Sequence, residues 1–249
     1  MEPAGQAPGD RSVFGGIAVR WIPPGRFTMG SPLSEKGRGG IYSIPEGQHE
    51  VSLTRGFFLA ETECTQAQWS AVMETNRSKF KKPDHPVEKV SWYDAEEFCQ
   101  KLTSTHQKEG VLPEGWRWRL PTEAEWEFAA RAGSTDARYG KLETIAWYQK
   151  NSEGQTHPVK QKAPNAWGLF DMLGNVSEWC ADWDGDYPGG AATDPVGPVE
   201  GSARVIRGGS WECSYKHIRS AFRCWFDPYF LFENLGFRPA LGPYLGPRP

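Results

Sequence analysis

Glycine and proline interrupt this chain so often that no long regular element can run through it. Among 249 residues there are 28 glycines and 20 prolines. Glycine supplies positive φ and proline locks φ, so both residues break periodic structure. A helix bundle is thereby excluded, and the expected class is α+β, with few short strands and about three helices set among loops. Twelve Trp and 13 Phe argue equally against disorder, which lacks the aromatics needed to form a core.

Charge narrows the partners. Lys and Arg total 28 against 31 Asp and Glu, a net charge of −3, so nucleic acid is not an expected partner. The five cysteines, Cys64, Cys99, Cys180, Cys213 and Cys224, form no CxxC pair and no even disulfide framework. No stretch of about 18 apolar residues occurs, so no membrane span is expected. The opening MEPAGQAPGDRSVFGG has neither the basic nor the apolar region of a secretory signal. The expectation is a cytoplasmic protein.

Residues 1–13 read as a flexible lead-in and 242–249 as a tail around a single domain, 14–241. Alternation through Ile17, Val19 and Trp21, then Pro23-Pro24-Gly25, reads as strand, turn and strand. Residues 31–48 are polar and glycine-rich, a surface loop. Val51, Leu53 and Phe57 to Leu59 read as one further strand. Thr65-x-x-Gln68 and Thr122-x-x-Glu125 are capping boxes that open helices; the second helix should stop at Ala132-Gly133. Between them Ala95, Phe98, Cys99 and Leu102 repeat at helical spacing from a start near Trp92. Beyond residue 134 the chain reads as loops and short strands at 204–211, 217–226 and 235–241.

Eight ordered segments carry a resemblance. They are GRFTMGS (25–31), ETECTQAQWSAVM (61–73), HPVEKVSWYDAEEFC (85–99), RLPTEAEWEFAARAG (119–133), NAWGLFDMLGNVSEW (165–179), RVIRGGSW (204–211), RSAFR (219–223) and NLGFRPA (234–240). Together they resemble the formylglycine-generating, sulfatase-modifying-factor family. The resemblance implies an irregular C-type-lectin-like fold. It does not by itself assign a function, since one fold hosts many activities.

The enzymes of that family hold copper(I) on two cysteines. Soft sulfur ligands suit Cu(I). The first position matches Cys213, with Ser210 close by in sequence. The second matches Ile218, which cannot ligate, so copper is not expected. Ser177 stands where the family carries an aromatic residue near its peptide site. A related iron activity needs three histidines, but His49, His85, His106, His157 and His217 contain no HxxxH pair. The resemblance also implies a structural Ca²⁺ held by carboxylates of Asp171 and Glu178 and carbonyls of Gly174 and Val176. Oxygen donors of this kind suit a hard cation. The alternative there is a tight glycine turn with Glu178 in a salt bridge.

The residues between RVIRGGSW and NLGFRPA depart from the family. From Phe222 to Phe232, eight of eleven are apolar or aromatic: Phe222, Cys224, Trp225, Phe226, Tyr229, Phe230, Leu231 and Phe232. Three readings compete. The run may be read as core, as an oligomer interface, or as a diversified ligand-binding patch. It has no period of two, and Asp227-Pro228 turns it in the middle. Variable proteins of diversity-generating retroelements resemble this family, and their mutagenesis randomises adenines, mostly in AAC codons. Cys213, Ser214, Tyr215, His217, Ile218, Phe222, Cys224, Phe226, Asp227, Tyr229, Phe230, Leu231 and Phe232 all lie in the accessible amino-acid set. Trp225 is reachable from an AGG codon, and Glu212 would be a fixed member of the surface. The resulting expectation is a non-catalytic display protein that binds a protein or peptide ligand through these residues. Arg219, Arg223 and Arg238 would hold the loops by hydrogen bonds. Proteins of this variable type can also be secreted or displayed on a surface. The alternatives are a copper oxidase acting on a peptide cysteine, or an inert paralogue using the patch as an interface.

Overall fold

A computed structural model describes residues 7–38, 45–187 and 189–245. Among the described residues, three small sheets and four helices assemble around two adjoining cores. The first sheet runs in the order β1 (Arg11–Phe14), β2 (Ile17–Ile22), β5 (Phe57–Ala60), β12 (Ala240–Pro243) and β6 (Trp116–Arg119). Its neighbours pair antiparallel throughout, and it brings the two ends of the chain together. A second sheet has the order β10 (Arg223–Phe226), β9 (Arg204–Arg207), β7 (Ser177–Trp183) and β11 (Leu235–Gly236). The third holds β3 (Gly25–Met29), β4 (His49–Leu53) and β8 (Ala192–Thr193).

The helices follow their sequence signals. α1 (Gln66–Met73) and α3 (Glu123–Arg131) start at the Thr65 and Thr122 capping boxes, each closed in both directions. Between them α2 (Trp92–Lys108) is capped by Ser91 and buries Ala95, Phe98, Cys99 and Leu102 on one face. Ala132 takes the left-handed conformation that ends α3. A one-turn helix, α4 (Leu142–Ile145), was not signalled by the sequence.

Several expectations are corrected. The lead-in is not wholly free, because β1 starts at Arg11 and Gly9 N–H donates to the Trp21 carbonyl; residues 1–6 lie outside the described residues. The tail is entered by β12, which runs to Pro243, and 246–249 lie outside the described residues. Residues 51–59 form two strands in different sheets rather than one. The strand expected at 217–226 is confined to Arg223–Phe226. Two strands, β6 and β7, were not expected; β6 alternates as WRWR but spans only four residues, and β7 has no clear alternation. β7 is buried on both faces through six of its seven residues, so period two disappears from its sequence. Part of the surface loop, 39–44, lies outside the described residues.

Tryptophans tie these layers together. Trp92 Nε1 donates to the Cys180 carbonyl at 2.8 Å, and Trp179 Nε1 to the Val90 carbonyl at 3.0 Å. Each buries a large apolar body while satisfying its only polar atom. The N-terminus of α2 is thus locked to β7, next to the loop that follows β10.

Candidate binding surface

Four buried arginines form the base of the surface. Arg219 reaches Glu46 at 2.9 Å and Glu35 at 2.5 Å. Arg223 grips both oxygens of Glu123 and the carbonyls of Pro45 and Gly185. Arg207 joins Glu123 to Glu127 and donates to the Ser220 carbonyl. Arg238 holds Glu178 and the carbonyls of Ala60 and Phe170. A guanidinium offers five donors in fixed directions, which suits it to pinning several backbone segments at once. The polar loop expected at 31–48 therefore docks its acids on this base, at Glu35 and Glu46.

Above it run two segments, 212–218 and 225–232, whose backbones are held by residues outside them. Gln149 N–H donates to the Cys213 carbonyl at 3.1 Å. Arg138 donates to the carbonyls of Tyr215 and Ile218, at 2.5 and 2.6 Å. Arg219 Nε takes the Lys216 carbonyl at 2.8 Å. In the second segment Trp92 N–H donates to the Pro228 carbonyl at 2.9 Å, and Lys89 N–H to the Phe232 carbonyl at 3.0 Å. Asp227 closes a local turn by accepting from Tyr229 N–H. Trp211 Nε1 bonds the Glu233 carbonyl between the two segments.

The side chains of these segments divide. Tyr215, Trp225, Tyr229, Phe230, Leu231 and Phe232 are exposed, Tyr229 by 71%. Glu212 and Asp227 are exposed as well, while Cys213, Ser214, His217 and Phe226 are half-buried. Phe226, Phe230 and Phe232 pack on one another with ring centroids 4.8–6.1 Å apart, a patch favourable to aromatic contact. Three sequence-nominated residues are not on the surface. Ile218 is fully buried against Gly209, where an added Cβ would come within 2.8 Å of its Cδ1. Phe222 and Cys224 belong to the first core. Their strand or turn neighbours place them inward, so these three shape the loops rather than face a ligand.

Ser210 and Cys213 do meet, with hydroxyl and sulfur 3.4 Å apart. Burial pushes the Cys213 thiol above its usual range, opposed by hydrogen bonding with Ser210. Burial also pushes Cys224 up, to about 11. The position expected to complete a copper pair is filled by Ile218, whose side chain is core.

The calcium donors are arranged differently from the expectation. Both oxygens of Glu178 accept from Arg238, and Oε2 also accepts from Trp126 Nε1 at 2.6 Å. Three N–H donors thus converge on this carboxylate. Asp171 accepts the Lys160 N–H at 2.7 Å through Oδ2, and its Oδ1 is buried without a partner. Burial raises its carboxyl to about 6. The turn between them is tight, since Gly174 has φ +86° and a Cβ there would lie 2.3 Å from the Trp147 carbonyl. Among the described residues no group of three His, Cys, Asp or Glu side chains is placed to hold a metal. Glu178 is salt-bridged to Arg238 beside a tight glycine turn.

Sequence reasoning missed Tyr93, Arg138 and Glu123. Tyr93, exposed on the first turn of α2, packs its ring 4.8 Å from that of Tyr229. It lies far from the window in sequence, and only its position beside Trp92 hinted at it. Lys79 and Phe80 similarly join the rim, through Glu233 at 2.7 Å and the Trp211 ring at 5.7 Å.

With this geometry in place, comparisons with known proteins become informative. The sulfatase-modifying factor enzyme 1-like domain matches residues 17–242. The formylglycine-generating enzyme of Streptomyces coelicolor is 38% identical over 184 residues, 64% of this chain but 53% of that enzyme. Treponema denticola variable protein 1 superposes with a TM-score of 0.80 at 34% identity, covering 94% of this chain and 99% of its own. PvdO from Pseudomonas aeruginosa superposes with a TM-score of 0.82 at 25% identity, covering 96% and 100%. These matches agree with the α+β, C-type-lectin-like reading. The chain belongs to the family of sulfatase-modifying factor enzyme 1-like domains.

Proposed function

We propose that the protein is a non-catalytic ligand-binding protein, whose surface comprises the exposed side chains of 212–217 and 225–232. One observation carries this reading. The backbone of both segments is held by donors outside them, at Gln149, Arg138, Arg219, Trp92 and Lys89, while most of their side chains make no demand on the core. Side chains can then change without moving the loops. Tyr, Trp and Phe supply large contact areas at low entropic cost, as in antibody paratopes. The likeness to Treponema denticola variable protein 1 supports the same reading, with diversification by a retroelement. The ligand class this surface suits best is a protein or peptide that buries aromatic anchors.

Two tests apply. Sequencing the neighbouring DNA should show a reverse transcriptase and a near-copy of codons 204–240 that differs only at adenines. A library diversified at Tyr215, Trp225, Tyr229, Phe230, Leu231 and Phe232 should remain folded and yield binders to unrelated protein targets. If the near-copy is absent and the library is largely unfolded, the display reading fails. Turnover of a cysteine-containing peptide with stoichiometric copper would favour the oxidase reading instead.

A further inference from the structure

A cavity of about 340 Å³ opens between the end of β7 and the loop 195–198, away from the aromatic patch. Its floor is the first turn of α3 and the guanidinium of Arg223. Its walls include Met29, Pro195, Val196 and Pro198, which are apolar, and its polar groups include Asp182 and Asp186. This volume lies in the range of small-ligand sites.

Carboxylates outnumber basic side chains in the lining, Glu123, Asp182 and Asp186 against Arg223 and His49. Arg223 lines the cavity, but every nitrogen of its guanidinium is engaged, by Glu123 and by the Pro45 and Gly185 carbonyls. Its Tyr187 neighbour is covered as well, with the guanidinium 3.8 Å from the ring centroid. Four of its five N–H donors are thus taken. Asp186, by contrast, is exposed and makes no ion pair among the described residues. Asp184, two residues away and outside the cavity lining, keeps a buried Oδ1 without a hydrogen-bond partner. Burial raises the Asp184 carboxyl; Arg223 opposes this, and the charges of Glu123 and Asp186 add to it.

We infer that this cavity binds a cationic alkyl group, a guanidinium or ammonium on a short apolar stem. The stem lies against Met29, Val196 and the prolines, and the cation faces Asp186 at the mouth. An amphipathic cation of this kind buries its methylenes while its head stays near water and carboxylate. Apart from Arg223, whose guanidinium is shared with the base of the candidate surface, the lining residues lie outside the aromatic window, and none of the exposed aromatics takes part, so the two readings are tested separately.

The test uses N-butylguanidinium on the full chain, with N-butylurea and butyrate as neutral and anionic counterparts of similar shape. The readout is the ¹H–¹⁵N signal of the Trp183 indole, which lines the cavity. N-butylguanidinium should perturb it with a Kd on the order of 1 mM, an ordinary value for so small a ligand. Asp186→Asn should weaken binding about five-fold, a modest loss because the carboxylate is exposed. Val196→Trp should fill the cavity and weaken binding more than about ten-fold; Val196 is 43% exposed, so this variant is expected to fold. Equal binding of N-butylurea, tighter binding of butyrate, or no perturbation at 10 mM (about ten times the expected Kd) would each overturn the inference. So would undiminished binding by Val196→Trp.

Discussion

Arg138 donates from its Nε to the backbone carbonyl of Ile218 at 2.6 Å, across a sequence separation of 80 residues. The same guanidinium also holds the Tyr215 carbonyl. One framework side chain thus sets the path of a segment whose own side chains point elsewhere. Arg138→Ala should destabilise the protein by about 1–3 kcal/mol, in line with the loss of charge-assisted hydrogen bonds. Amide exchange should speed up selectively over 213–218. Uniform exchange across the chain would show that Arg138 does not anchor this loop.

Residues only a few positions apart should respond very differently to truncation. Tyr229→Ser and Phe230→Ser remove exposed side chains and should change stability by no more than about 0.5 kcal/mol. Ile218→Ala and Phe222→Ala open cavities in packed cores and should cost about 2–5 kcal/mol. Denaturant unfolding with an unchanged m-value would measure both classes. Comparable losses at Tyr229 and Phe222 would place the aromatic patch in the core after all.

Glu178 and Arg238 are a buried pair with three Arg–carboxylate contacts at 2.7–2.9 Å. Arg238→Met leaves the carboxylate buried without its cation and should cost about 3–5 kcal/mol. Because the pair is already complete, adding Ca²⁺ or EDTA should leave the wild-type Tm within about 1 °C, as follows from mass action when no metal is bound. A rise in Tm that grows with Ca²⁺ concentration would show that the cation displaces the arginine.

His106 accepts the Trp118 indole N–H on Nδ1 at 2.9 Å, which requires the neutral ring. Burial depresses its pKa below 6.5, opposed by Glu109. In the unfolded chain the ring protonates first, so the unfolded state binds more protons as pH falls through about 6.5. This contribution to stability is full above that pH and declines below it. His106→Gln should lower stability at pH 8 and flatten the decline between pH 7 and 5, as followed by Tm. An unaltered pH profile in the variant would place the titration elsewhere.

Much of the fold was legible before any coordinates. Capping boxes at Thr65 and Thr122 and the stripe from Ala95 to Leu102 are local signals, written within one or two helical turns. They located the starts of three helices to within a residue or two. The same holds for the exposed aromatics of 225–232, because Asp227-Pro228 and the lack of period two already argued against a core strand there. β6 and β7 were not read from the sequence. β6 alternates as WRWR but is only four residues long; β7 is buried on both faces, and a strand without a solvent face loses its alternation.

The chain by itself determined the class, the starts of the main helices and the place where the aromatics of the proposed surface concentrate. Only the tertiary structure decided which of those residues face outward. Ile218, Phe222 and Cys224 share the composition of their neighbours but turn inward, because β9 pairs with β10 and Gly209 leaves room for Ile218. Glu178 likewise reads as a metal ligand in sequence, but Arg238, 60 residues away, occupies its carboxylate. A motif specifies which side chains are present, but burial and pairing depend on segments far along the chain, which only folding brings together.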